Sequence, residues 1–151
     1  MNPVIDPNFT YLSGTDMIRI FEIALKYGLR FSLLDQILEW IENENIEVVF
    51  RDLRDLSGIL VIGYEKHIFI NNHISDVEQT HALLHELGHN YLHLTNRFNC
   101  CFICSDSYID YQEMEADYFA FSVADDYLKQ HCRWNFLKIG TRVGEKNFQY
   151  R

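Results

Sequence analysis

Apolar positions recur three and four residues apart in two stretches near the start of the chain. Ile18, Phe21 and Leu25 give one helical face over residues 16–27, with Ser13 or Thr15 as the cap and Gly28 where a helix ends. Residues 33–44 repeat the pattern through Leu34, Ile37, Leu38 and Ile41, behind a capping Ser32. The period then falls to two. Ile46, Val48 and Phe50 alternate with Glu47, Val49 and Arg51, the mark of a strand. Residues 52–58 read as a turn with Leu53 and Leu56 tucked inward. Residues 59–62 and 67–70 read as a hairpin around Gly63-Tyr64-Glu65-Lys66, broken by Asn71-Asn72-His73.

Ser75-Asp76-Val77-Glu78 has the form of a capping box and predicts a helix reaching about Leu94. Residues 95–110 read as a loop. A further helix is predicted from Tyr111 to about Lys129, burying Met114, Phe119, Ala120, Val123, Ala124 and Tyr127. In the tail, Trp134, Leu137 and Ile139 suggest a short docking helix. The sum is an α+β fold: a small, mostly antiparallel sheet against a helix pair. We expect one domain over 1–151, helical to about residue 45, with the hairpin and the chemistry-bearing helices over 46–130 and a tail over 131–151.

Composition narrows the function. Thirteen basic against 22 acidic residues give a net charge of −9. That argues against direct nucleic-acid binding, which needs a basic surface, and suits a basic partner. No stretch has the length of a membrane span, and the first residues lack the pattern of a secretory signal. With Cys100, Cys101, Cys104 and Cys132 read as reduced thiols, the expected location is the cytoplasm. The same cysteines are the candidates for a second, structural metal site, although the Cys-x-x-Cys half has no matching second half.

The chemistry centres on His85-Glu86-Leu87-Gly88-His89. Four helical residues turn about 400°, so His85 and His89 share a face one turn apart and can meet one zinc ion. Glu86 stands beside that face, placed to take a proton from water as general base. Chance yields such a five-residue match in roughly two of a hundred shuffled chains, so a third ligand must be sought. Glu113-Met114-Glu115-Ala116-Asp117 supplies it on the next helix. Glu113 can bind the metal, while Asp117, four residues on, accepts the remaining N–H of a ligand histidine. Glu115 is the rival ligand, about 200° around the helix from Glu113, so both cannot face one ion. Glu113 can otherwise serve a capping box with Asp110.

These motifs, with Asn90-Tyr91-Leu92-His93 after the first and Phe119-Ala120 after the second, resemble the ImmA/IrrE family of metallopeptidases. Gly58-Ile59-Leu60 and Ile68-Phe69-Ile70-Asn71-Asn72 resemble the family's hairpin before the zinc helix. The likeness spans about residues 48–124. It implies a zincin-like fold and a gluzincin-type centre with Zn2+ held by His85, His89 and Glu113, and Glu86 as base. It further implies cleavage of a helix-turn-helix repressor, often in mobile elements, phage or stress responses. Residues 121–126 depart from the family's usual Met-Pro ending.

His81 and His93 extend the histidine row over about 18 Å, too far for one ion, and read as packing or cleft-edge residues. Tyr64, His67, His73 and Tyr118 are candidates to stabilise an oxyanion. The strand over residues 67–70 is expected at the sheet edge, where an extended substrate can pair with it. The alternative function is a non-cleaving anti-repressor that keeps the metal site and binds its partner.

Overall fold

The computed structural model describes residues 12–27, 31, 33–93 and 111–134, and the backbone alone of 100–104. Among these residues the elements run α1 (Gly14–Tyr27), α2 (Leu34–Asn43), β1 (Ile46–Arg51), β2 (Gly58–Ile62), β3 (Lys66–Asn71), α3 (Asp76–Leu92), β4 (Cys100–Cys104), α4 (Tyr111–Val123) and α5 (Asp126–His131). Ser13 is the cap of α1, its Oγ accepting the Asp16 N–H at 3.1 Å. Leu33 precedes α2 without a side-chain cap; Ser32 and Gly28 lie outside the described residues.

The sheet order is β1-β3-β2-β4. β2 and β3 form the expected antiparallel hairpin, with Leu60 opposite Ile68. β4 pairs antiparallel with β2, and β1 pairs parallel with β3. Two expectations are corrected here. The strand over 67–70 is interior, because β1 occupies its other side and engages the hydrogen bonds that a substrate strand needs. Part of the expected loop over 95–110 is β4, in which Cys, Phe and Ile residues that suit a strand cover the flank of β2.

The inward row of the sheet, Leu60, Ile62, Ile68 and Ile70, packs against Ala82, Leu83, Leu84 and Leu87 of α3. Gly58 lets the helix come close: a Cβ there meets Ile70 Cδ1 at 3.1 Å and Ala82 Cβ at 3.6 Å. Buried Asn71 fixes the turn into α3. Its Nδ2 donates to the Arg54 and Leu56 carbonyls, both at 2.9 Å, and its backbone carbonyl accepts from Gln79 Nε2 at 3.1 Å. Ser75 then caps α3 by accepting the Glu78 N–H at 3.2 Å.

α1 is rolled away from its expected orientation. Ile18, Phe21 and Leu25 are 64%, 42% and 59% exposed, while Ile20 and Ala24 are buried. The helix carries apolar residues on two sides, and the side bearing Asp16 and Arg19 is drawn to α4. Tyr111 donates to Asp16 at 2.5 Å and Arg19 bonds Glu115.

The predicted helix over 111–129 is two helices. Asp125 ends the run by capping α5, accepting the Leu128 N–H at 2.9 Å. Phe31 fills the break, donating its N–H to Val123 O at 2.9 Å and accepting the Asp125 N–H at 3.1 Å. Tyr127, expected inside, is exposed on α5. Trp134 is buried, its Nε1 donating to the Lys129 carbonyl at 3.0 Å; Leu137 and Ile139 lie outside the described residues. Among the described residues no helix is long and apolar enough to cross a membrane. The arrangement is α+β and consistent with a zincin-like fold.

Candidate metal centre

Every residue of α3 from Gln79 to His89 except His81 is buried, because the sheet lies on one side of the helix and α4 on another. Gly88 permits the second contact. The position its Cβ would take is 2.7 Å from the Ala116 carbonyl oxygen on α4. This closeness brings the carboxylates of α4 against the histidines of α3.

Glu113 bridges two imidazoles. Its Oε2 lies 2.8 Å from His85 Nε2 and its Oε1 lies 2.9 Å from His89 Nε2. Asp117, one turn further along α4, takes the other side of His85, with Oδ1 at 3.1 Å from Nδ1. The same oxygen accepts from His81 Nε2 at 2.5 Å, and the His81 ring packs against Trp134 at 4.5 Å between centroids. His85 is thus gripped at both nitrogens by residues four apart on one helix face. Glu115 points elsewhere, toward His93 at 3.1 Å and Arg19 at 2.7 Å. His93 also reaches His89, the two Nδ1 atoms lying 2.9 Å apart.

Glu86 is fully buried, and neither carboxylate oxygen makes a hydrogen bond of good geometry, although the Leu60 backbone favours its charged form. Burial, aided by the nearby Glu113 charge, pushes its carboxyl up to about 8. Burial likewise pulls the His89 imidazole down to about 4 and lowers that of His93. Burial alone would raise the Glu113 and Asp117 carboxyls. The histidines they bond outweigh it, holding Glu113 at about 2 and Asp117 well below the usual carboxylate range.

His85, His89 and Glu113 each offer one donor atom within 4.8 Å of the others. That spacing suits one cation with bonds of about 2.0–2.2 Å. Two imidazoles and one ionised carboxylate are the donor chemistry of zinc, and the buried Glu86 carboxyl beside them suits a site that also admits water. A second group, His81, His85 and Asp117, is explained by the hydrogen bonds that Asp117 accepts from both rings. A third, Glu47, Glu65 and His67, is largely exposed.

The other candidates differ in their surroundings. Tyr64 projects fully into solvent, His67 faces Glu47 at 3.2 Å, and His73 faces Asp52 at 3.7 Å. Tyr118 is half-buried on α4, beside Phe121. Cys132 is a half-buried thiol, pushed up to about 12 by burial, with its Sγ near the Val77 carbonyl. It belongs to none of the metal-capable groups among the described residues, and the side chains of Cys100, Cys101 and Cys104 lie outside them. Sequence reasoning missed Arg19, and it left Glu115 and His93 without their connecting role. The four-residue step from His89 to His93 was the visible signal.

No curated protein matches the chain. A family model described as Peptidase_M78, the IrrE N-terminal-like domain, matches residues 41–126. The match takes in the described sheet, α3 and α4, and with them His85, Glu86, His89, Glu113 and Asp117. It covers more than half of the 151 residues, and the chain therefore belongs to this family, with a metallopeptidase-type domain.

Proposed function

We propose that the chain is a zinc-dependent endopeptidase that cuts a regulatory protein at a defined site, a helix-turn-helix repressor being the substrate type its family resemblance suggests. The observation that carries this reading is the convergence of His85, His89 and Glu113 beside the buried carboxyl of Glu86. Those three residues are the proposed ligands. A zinc ion held there supplies Lewis acidity and positive charge, which acidify a water, polarise the scissile carbonyl and favour the carboxylate form of Glu86. Glu86 accepts the proton of the attacking water and returns it to the leaving amine. Asp117 accepts the His85 Nδ1–H and so leaves Nε2 as the ligating atom.

The test is incubation of the purified chain with a repressor encoded beside it, with and without chelator. Fragments should form without chelator only, and Glu86→Gln should abolish them while retaining zinc. Cutting by Glu86→Gln at the wild-type rate refutes the base assignment. The alternative is a partner-binding protein that retains the metal site without cutting. The burial of His85, Glu86, His89 and Glu113, none more than 5% exposed, favours it, and a net charge of −9 suits a basic DNA-binding partner. An intact complex, unaffected by chelator, identifies that function.

A further inference from the structure

A chain of polar contacts leaves the proposed metal site in the direction opposite to Asp117. It begins at His89, whose Nδ1 lies 2.9 Å from His93 Nδ1. His93 Nε2 lies 3.1 Å from Glu115 Oε1, and Glu115 Oε2 accepts from Arg19 Nη2 at 2.7 Å. Arg19 also lies 3.5 Å from Asp16, which takes the Tyr111 hydroxyl. Arg19 sits on α1, before the matched residues 41–126.

A cation on His89 Nε2 would fix the order of donors and acceptors along this path. A carboxylate only accepts, so the proton between Glu115 and His93 resides on His93 Nε2. His89, its Nε2 lone pair committed to the cation, would carry its proton on Nδ1 and donate it to His93 Nδ1 at 2.9 Å. His93 would thus accept from His89 at one nitrogen and donate to Glu115 at the other. Glu115 anchors the series, and it is 7% exposed. A carboxylate so buried needs a counter-charge, and Arg19 provides it. An exposed ion pair would add little, but this one ends in a hydrogen-bonded histidine that touches a proposed ligand.

We infer that Arg19 is a positioning residue of the metal centre, acting through Glu115 and His93 to hold His89 in the tautomer that leaves Nε2 free to ligate. The inference rests on the proposed metal site. It makes α1 part of the centre although α1 lies outside the matched domain. Outer partners of ligand histidines typically contribute 10–100-fold in metal affinity. Arg19 stands two links removed and its side chain is 46% exposed, so the low end applies.

The test uses the full chain as wild type, Arg19→Met, Arg19→Lys and Glu22→Ala, the last an exposed control on the same helix. Zinc affinity is measured by competition with a chromophoric chelator. The His89 Nδ1–H resonance of the zinc-loaded protein is followed by 15N-edited NMR. Arg19→Met should weaken zinc binding about tenfold and speed exchange of that proton with water; Arg19→Lys should restore most of both, and Glu22→Ala should change neither. Weaker binding with an unmoved His89 resonance means that Arg19 is merely structural and overturns the inference. Unchanged binding by Arg19→Met does the same while leaving the proposed site intact. Absence of stoichiometric zinc in the wild type removes the site itself, and the inference with it.

Discussion

Gly88→Ala sets two effects against each other at the contact between α3 and α4. Alanine is favoured over glycine inside a helix by about 1 kcal/mol. The added Cβ, however, would stand 2.7 Å from the Ala116 carbonyl oxygen, 3.0 Å from its Cα and 3.2 Å from its carbonyl carbon. Ordinary carbon–oxygen contacts are about 3.3–3.6 Å, so α4 must retreat by about 0.6–0.9 Å. The obstacle is main chain within a helix, and no rotamer change relieves it. Overpacking of this kind costs about 1–3 kcal/mol, which leaves a net loss of about 0–2 kcal/mol after the propensity gain. For a chain of this size that is at most about 8 °C in melting temperature. Glu113 rides on α4 one turn before Ala116, so the same retreat widens its contacts of 2.8 and 2.9 Å with His85 and His89. Zinc affinity should fall about tenfold. Chemical denaturation of the chelated protein reads the first effect, and zinc competition reads the second. A variant as stable as wild type, with unchanged affinity, would show that the two helices have slack at Gly88 and refute the reasoning.

Three further outcomes are expected. Glu113→Ala should lose stoichiometric zinc by elemental analysis while Glu115→Ala keeps it with weaker affinity, because Glu115 faces His93 and Arg19; equal zinc content in the two rejects the ligand assignment. In chelated protein, Glu86 titrates near 8 when folded against 4.5 as its ordinary value, so the fold binds the extra proton between those limits. That contribution is fully present below 4.5 and is lost as pH rises through 8. The stability of Glu86→Gln should therefore gain on wild type across the window by up to about 1.4 kcal/mol per pH unit, and parallel pH profiles from denaturant titrations would contradict it. Asp125→Ala removes the cap of α5 and should cost about 1 kcal/mol, read as a lower melting temperature; an unchanged one means that Phe31 alone holds the break.

Local signals made most elements legible. Ser75-x-x-Glu78 marks the start of α3 in the sequence, and the two-residue period marks β1 and the hairpin, because both depend on neighbours along the chain. What failed depends on distant partners. The face of α1 was undecidable from periodicity, since Ile18, Phe21 and Leu25 form as good a row as Ile20 and Ala24; the pull of α4 on Asp16 and Arg19 chooses between them. β4 is five residues long, and β2, with which it pairs, lies some 40 residues earlier. The insertion of β3 between β1 and β2 leaves no local trace, which is why the hairpin was expected at an edge. At the candidate site, helix geometry predicted that His85 and His89 share a face, and the structure brings Glu113 to both. The path through His93 and Glu115 to Arg19 was hidden, because its last link joins residues 96 positions apart.

Phe31 gives the family boundary a practical meaning. Shared sequence begins at Ile41, ten positions after the backbone that seals the gap between α4 and α5. A protein trimmed to that boundary would strand the Val123 carbonyl and the Asp125 amide, at about 1–3 kcal/mol for each group left buried without a replacement. It would also uncover Ile41, now fully enclosed, and strip Glu115 of its arginine. Domains hold together by only about 5–15 kcal/mol, so these losses are a large share of the whole. The stretch that relatives have in common is thus narrower than the body that must fold.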